Sequence, residues 1–172
     1  MKLTSERLEL NPMQRSDVDK LFDLDQRPEV MTYIKANTPT FEDAIRKNER
    51  YVFYGEKNPG LSAFVVTLKD TQEFIGFGFL VDIELNPKHQ KVEVGYRFYP
   101  QHWGKGYASE VTQTLLKYGF NTLNLPAIYG TTDPDNLVSM KVLEKAGLKK
   151  MGMCEYHAGS NLFKMENPGQ KT

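Results

Sequence analysis

The chain has 172 residues, room for one domain and short for two. Its 22 basic and 22 acidic side chains cancel, which argues against nucleic acid as the main partner, because a phosphate backbone usually demands a basic excess. A hydrophobic fraction of 40% and an aromatic fraction of 12% suffice for a proper core and exclude wholesale disorder.

The opening stretch TSERLELNP alternates and reads as a strand stopped by Asn11-Pro12. Ser16-Asp17-Val18-Asp19 resembles a helix start, with Val18, Leu21, Phe22 and Leu24 behind it at helical spacing. Thr40-Phe41-Glu42-Asp43 opens a second helix running through Ala44, Ile45 and Asn48 towards Phe53, and residues 33–39 join the two as a loop. A hairpin follows, residues 61–68 and 73–85 around a turn at 69–72. In its second strand, period-2 alternation puts Phe74, Gly76, Gly78 and Leu80 on one face, where the two glycines imply a close approach by packing or by a ligand, packing being the simpler reading. After a turn at residues 86–89, residues 91–99 form a strand stopped by Pro100. Residues 104–123 read as loop then helix, and 127–132 as a strand. A helix over 135–146 has Pro134 near its start and Gly147 past its end. Two short strands flank residues 158–160. This order predicts an α/β domain over 1–172, one mixed sheet with helices around it.

No apolar run approaches the ~20 residues of a membrane-spanning helix, and MKLTSERLEL lacks the apolar segment of a signal peptide. Cys154 is the single cysteine and can form no internal disulfide. The expectation is a cytoplasmic protein without membrane or nucleic-acid partners. His89, His102 and His157 have no metal-ligand spacing with one another or with Cys154, so no metal is expected.

Chemistry concentrates at Gln101-His102-Trp103-Gly104-Lys105-Gly106-Tyr107-Ala108, between a strand and a helix. Glycines there permit a tight turn, the first helical N–H groups lack partners, and the helix dipole favours an anion, to which Lys105 adds a charge. The nucleotide-phosphate pattern G-x-x-x-x-G-K-S/T is missing. The dinucleotide pattern G-x-G-x-x-G fails at Ser109, and no acidic ribose ligand is evident about 20 residues on. A third ligand of the same chemistry is the pyrophosphate of coenzyme A.

Gln101-x-x-Gly104-x-Gly106 reproduces the Q/R-x-x-G-x-G/A pattern of the GNAT N-acetyltransferases. With TSERLEL, VEVGYRFYPQHWGKGYASE and DPDNLVSMKVLEKAGL in order, the chain resembles their RimJ/RimL branch, the ribosomal-protein-alanine N-acetyltransferase type. The resemblance covers most of residues 3–148 and weakens over 149–172, where the family's terminal strand pair is longer. It implies a twisted sheet whose fourth and fifth strands, residues 91–99 and 127–132, splay apart around the pantetheine arm of acetyl-CoA. Backbone groups of Tyr96, Arg97 and Phe98 would pair with the pantetheine amides. The amides of Trp103, Gly104, Lys105, Gly106, Tyr107 and Ala108 would hold the pyrophosphate.

Further roles follow from the same resemblance. Glu93, sharing a face with Gly95 and Arg97, is the candidate general base; the alternative is a plain ion pair with Arg97. Asn136 would contact the pantetheine arm, or serve as an ordinary helix cap. Ser139 would hydrogen-bond the departing thiolate, since the positions three and four further on are Val142 and Leu143, with no tyrosine. Trp103 would pack beside the cofactor or act as a structural wedge. Cys154 reads as a core residue. Tyr33, Tyr51 and Tyr54 would wall an acceptor pocket or simply pack.

The implied activity is direct acetyl transfer to a primary amine through a tetrahedral intermediate. Deprotonating a lysine-like amine at pH 7 costs about 4.6 kcal/mol, an α-amine about 1 kcal/mol. An α-amine thus needs little help, and by the resemblance a protein N-terminal α-amine leads. Polyamines, aminoglycosides and amino acids are alternatives, as is a non-catalytic acyl-CoA-binding or sensing module. Glu42, Asp43 and Glu49 offer a polyamine only a modest acidic cluster, better read as a solvated helix face. Monomer and homodimer both fit.

Overall fold

The computed structural model describes residues 1–34 and 40–170. Its elements, in chain order, are β1 (Leu3–Thr4), β2 (Leu8–Pro12), α1 (Val18–Asp25), α2 (Pro28–Met31), α3 (Phe41–Lys57), β3 (Ser62–Leu68), β4 (Phe74–Asp82), β5 (Val92–Phe98), α4 (Tyr107–Asn121), β6 (Ala127–Thr132), α5 (Leu137–Ala146), β7 (Lys149–Met153) and β8 (Asn161–Glu166). The strands form one eight-stranded sheet in the order β1-β2-β3-β4-β5-β6-β8-β7. Every pairing is antiparallel except β5 with β6, which is parallel and rests on the single register Glu93↔Tyr129. The expected mixed α/β sheet with splayed central strands is what forms.

Hydrophobic patterning puts a core on each face of the sheet. On one, Leu10, Phe64, Leu80, Val94 and Phe98 meet Val111, Leu115 and Leu116 of α4. On the other, Val65, Phe77, Phe79 and Val81 meet Leu21 and Leu24 of α1 and Val52 of α3. Gly78 is where α4 presses in. A Cβ there would sit 2.8 Å from Val111 Cγ1 and 3.2 Å from Leu115 Cδ1, so the close packing inferred from the glycines is real. Leu115 is fully buried, and truncating such a leucine to alanine typically costs about 2–5 kcal/mol.

The predicted face of β4 needs one correction. Val66 pairs with Gly76 but Thr67 pairs with Phe74, so Ile75 is an extra residue. This bulge turns Phe74 over: it packs beside Phe77, at 5.3 Å between ring centroids, while Ile75 joins Leu80 on the α4 side. Element limits also shift. The opening stretch is a hairpin of β1 and β2 rather than one strand, and β2 runs through Asn11 and Pro12 instead of stopping there. β4 ends at Asp82, where residues 83–85 turn with Glu84 and Leu85 at positive φ. Ahead of α1, Asp17 Oδ2 accepts from Gln14 N at 3.0 Å. Ser16, read as the cap, lies inside the resulting turn. α2 had no signal strong enough to be read.

Thr40 caps α3 as expected, Oγ1 accepting from Asp43 N at 3.1 Å. Asn136 caps α5, Oδ1 accepting from Ser139 N at 3.1 Å, and Gly147 closes it. Cys154 is buried. Most of the connecting loop expected at 33–39 falls at 35–39, outside the described residues.

Candidate active site

The Gly104–Gly106 loop leads from β5 into α4. Gly104 has φ +73° and Gly106 φ +83°, the left-handed region that glycine enters without a Cβ penalty. A Cβ on Gly104 would meet nothing within 4 Å, so its face is open. The N–H groups of residues 104–109 find no acceptor among the described residues; the first helical bond runs from Glu110 N to Gly106 O. Several unpaired N–H groups converging at a helix start form an anion cradle. These features fit a pyrophosphate. Lys105 lies exposed within the loop.

The loop is braced from far away in sequence. Glu110, in the first turn of α4, accepts from Ser5 Oγ, Arg7 N and Arg7 Nε, each at 2.7 Å. Arg7 Nη1 donates to Lys105 O at 3.0 Å, and the guanidinium carbon stands 4.6 Å from the Tyr107 ring centroid. Burial pushes the Glu110 carboxyl up, but the hydrogen bonds from Arg7 and Ser5 and the guanidinium charge outweigh it and hold it below its ordinary value. TSERLEL is legible as a motif, yet no local spacing reveals a contact spanning about a hundred residues.

Beyond the Glu93↔Tyr129 bridge, β5 and β6 part. Residues 96–98 stay paired with β4 on one side only. Their roles divide. A Cβ on Gly76 would lie 2.1 Å from Arg97 O, so that carbonyl faces β4 rather than the gap. By alternation Tyr96 and Phe98 turn their backbone groups towards the gap. Trp103 Nε1 donates to Phe98 O at 2.8 Å, tying the half-exposed indole to that edge.

Tyr96 contributes more than backbone. Its hydroxyl lies 3.4 Å from Ser139 Oγ, and burial pushes it above its ordinary range, with the Ser139 contact opposing. α5 carries no tyrosine, and this one arrives from β5. Asn136 spends its Oδ1 on the helix cap and keeps an Nδ2 without a partner among the described residues.

Glu93 sits at the fork, on the sheet face turned to α1 and α3. Its Oε2 accepts from Thr131 Oγ1 at 2.8 Å. Burial pushes its carboxyl up; the Thr131 bond and the charges of His157 and Arg97 pull the other way without prevailing. Arg97 does not pair with Glu93. Its Nη1 binds Asp25 Oδ1 at 2.9 Å, with both side chains largely buried, and the guanidinium lies 5.1 Å from the Phe79 ring centroid. Lys47 stands nearby, its amine lowered by burial and by the positive charge of Arg97. Of the three tyrosines, Tyr54 is locked in the core, its hydroxyl donating to Asp82 Oδ2 at 2.7 Å. Tyr51 packs on Phe79 at 5.2 Å, and Tyr33 is exposed. Among the described residues, no group of three or more His, Cys, Asp or Glu side chains could hold a metal ion.

An open gap between parallel strands, an anion cradle at its end and a half-buried carboxylate at its fork define an acyl-transfer scaffold, and the sequence says which. Residues 7–149 match the model of the acetyltransferase (GNAT) domain. The chain belongs to the GNAT N-acetyltransferases, enzymes that take their acetyl group from acetyl-CoA. It is 34% identical to the N-acetyltransferase p20 of Bacillus licheniformis, over 88% of this chain and 84% of that one. Its fold matches an acetyltransferase from Agrobacterium tumefaciens str. C58 with TM-score 0.83 and 24% identity, covering 96% and 94% of the two chains. It also matches RimL, the ribosomal L7/L12 α-N-protein acetyltransferase in complex with coenzyme A, with TM-score 0.77 and 16% identity over 99% and 100%. At those identities the two likenesses are of fold alone. No helix among the described residues is long and apolar enough to cross a membrane.

Proposed function

We propose that the protein acetylates a protein N-terminal α-amine, as a member of the RimJ/RimL branch. The observation that carries this reading is Glu93 at the strand fork, its carboxyl raised by burial while still hydrogen-bonded to Thr131. A base shifted upward suits removal of a proton, directly or through one water, from an amine that ionises near neutrality. The surroundings also disfavour a polycation. Arg97 and Lys47 lie on the Glu93 side, whereas Asp43 is spent on Thr40 and Arg46 at the solvated start of α3.

In this reading the N–H groups from Gly104 to Ala108 hold the pyrophosphate, with Lys105 adding charge; the Trp103 N–H, also expected there, is spent on Pro100 O at 3.1 Å. Tyr96 and Phe98 present the strand edge to the pantetheine arm, Asn136 offers Nδ2, and Arg97 keeps the edge straight from behind. Acetyl-CoA supplies the thioester. The amine nitrogen forms the new bond to the carbonyl carbon as its proton passes to Glu93, and the carbon–sulfur bond breaks. The departing sulfur takes a hydrogen bond from Ser139, whose hydroxyl is supported by Tyr96.

Coenzyme A release and product mass, measured over N-terminal peptides, an internal-lysine peptide, polyamines, aminoglycosides and amino acids, test the proposal. Transfer to peptide α-amines supports it. Transfer confined to a small amine, or acetyl-CoA binding without turnover, refutes it.

A further inference from the structure

The brace on the anion cradle has a chemical meaning of its own. Glu110 occupies the first turn of α4, where a carboxylate competes for the same positive end of the helix that a phosphate would use. Arg7 cancels that charge and fixes it in place, through Nε to Oε2 and its own backbone N–H to Oε1. The same guanidinium fastens the loop through Lys105 O and lies over Tyr107. Its remaining nitrogen, Nη2, has no hydrogen-bond partner among the described residues and stands 3.4 Å from where a Cβ on Gly106 would be. One side chain thus neutralises the competing anion, sets the loop backbone and leaves a charged donor beside it.

We propose that Arg7 is a positioning residue that makes this loop selective for an acyl donor carrying phosphate groups. The proposal rests on the reading of the loop as the pyrophosphate cradle. Its consequence is specific: losing Arg7 weakens the hold on the phosphate end of the donor and leaves the thioester end alone.

Steady-state kinetics of wild type, Arg7→Ala and Arg7→Lys test it, with acetyl-CoA and with S-acetylpantetheine, a donor lacking the nucleotide and its phosphates. Arg7→Ala should raise KM for acetyl-CoA about tenfold or more, the usual scale for charge-assisted hydrogen bonds, with kcat little changed. Arg7→Lys keeps a cation but cannot span Glu110 and Lys105 O together, so it should show the same defect more weakly. It carries the test if the alanine variant fails to fold. For S-acetylpantetheine, kcat/KM should match wild type. An unchanged KM for acetyl-CoA in both variants, or an equal loss with both donors, overturns the assignment of Arg7. A wild-type protein that neither binds nor uses acetyl-CoA instead overturns the reading of the loop.

Discussion

The ion pair between Asp25 and Arg97 is the contact whose removal should cost most for its size. The side chains are 8% and 13% exposed, so each has surrendered its hydration to the other. Asp25→Ala leaves the guanidinium buried against Phe79 with its carboxylate gone. Removing one partner of a buried pair costs about 3–5 kcal/mol. The exposed pair between Arg27 and Asp23, at 3.2 Å, has side chains 49% and 52% exposed and is of the kind worth about 1 kcal/mol or less. For a chain of this length 1 kcal/mol moves Tm by roughly 2–4 °C, so Asp25→Ala should lower it by roughly 6 °C or more. Arg27→Ala should move it by a few degrees at most, and unlike a change at Asp23 it leaves the Tyr99 hydrogen bond to Asp23 in place. Urea denaturation of both variants, with the double replacement Asp25→Leu/Arg97→Met, gives the measurement. The double variant should recover most of the loss, because replacing a buried pair by apolar groups is often close to neutral. A cost below about 1 kcal/mol for Asp25→Ala, or a double variant as weak as the single, would refute the claim that burial gives the pair its weight.

Three further outcomes are expected. Glu93→Gln should depress kcat severely while sparing KM for acetyl-CoA. It should also stabilise the fold at neutral pH: a carboxyl held above its unfolded value keeps its proton longer in the native state, so wild-type stability falls as pH rises through that window. Denaturation at pH 4 and pH 8 should give wild type and variant similar stabilities at the lower pH and favour the variant at the higher. Ser139→Ala and Tyr96→Phe should each lower kcat by up to about tenfold, the scale of one donor hydrogen bond to a thiolate, and the pair should be non-additive in kinetics with a common acceptor. Gly78→Val should destabilise by about 1–3 kcal/mol through overpacking against Val111 and Leu115, seen as a lower urea midpoint.

What the sequence disclosed and what it withheld follow a physical division. Alternation and turn residues located β3 to β6, and Thr40, Asn136 and Gly147 marked helix ends, because those signals are local. The Ile75 bulge escaped notice since one inserted residue reverses the parity of the alternation without changing its composition. The loop from Gln101 to Ala108 was legible because its glycines encode a backbone shape. Thr131 on Glu93, Tyr96 on Ser139, Asp25 on Arg97 and Arg7 on Glu110 were not, since each joins residues 38 to 103 positions apart and only the folded sheet brings them together.

Trp103 gives the molecule its own optical reporter. It is the single tryptophan in the chain, about half its surface meets solvent, and its ring nitrogen is bonded to the edge of the strand gap. Emission at indole wavelengths therefore comes from one place, at the junction of gap and cradle. Any molecule that settles there alters the polarity and the hydrogen bonding around that ring, so occupancy can be followed by intrinsic fluorescence without a label.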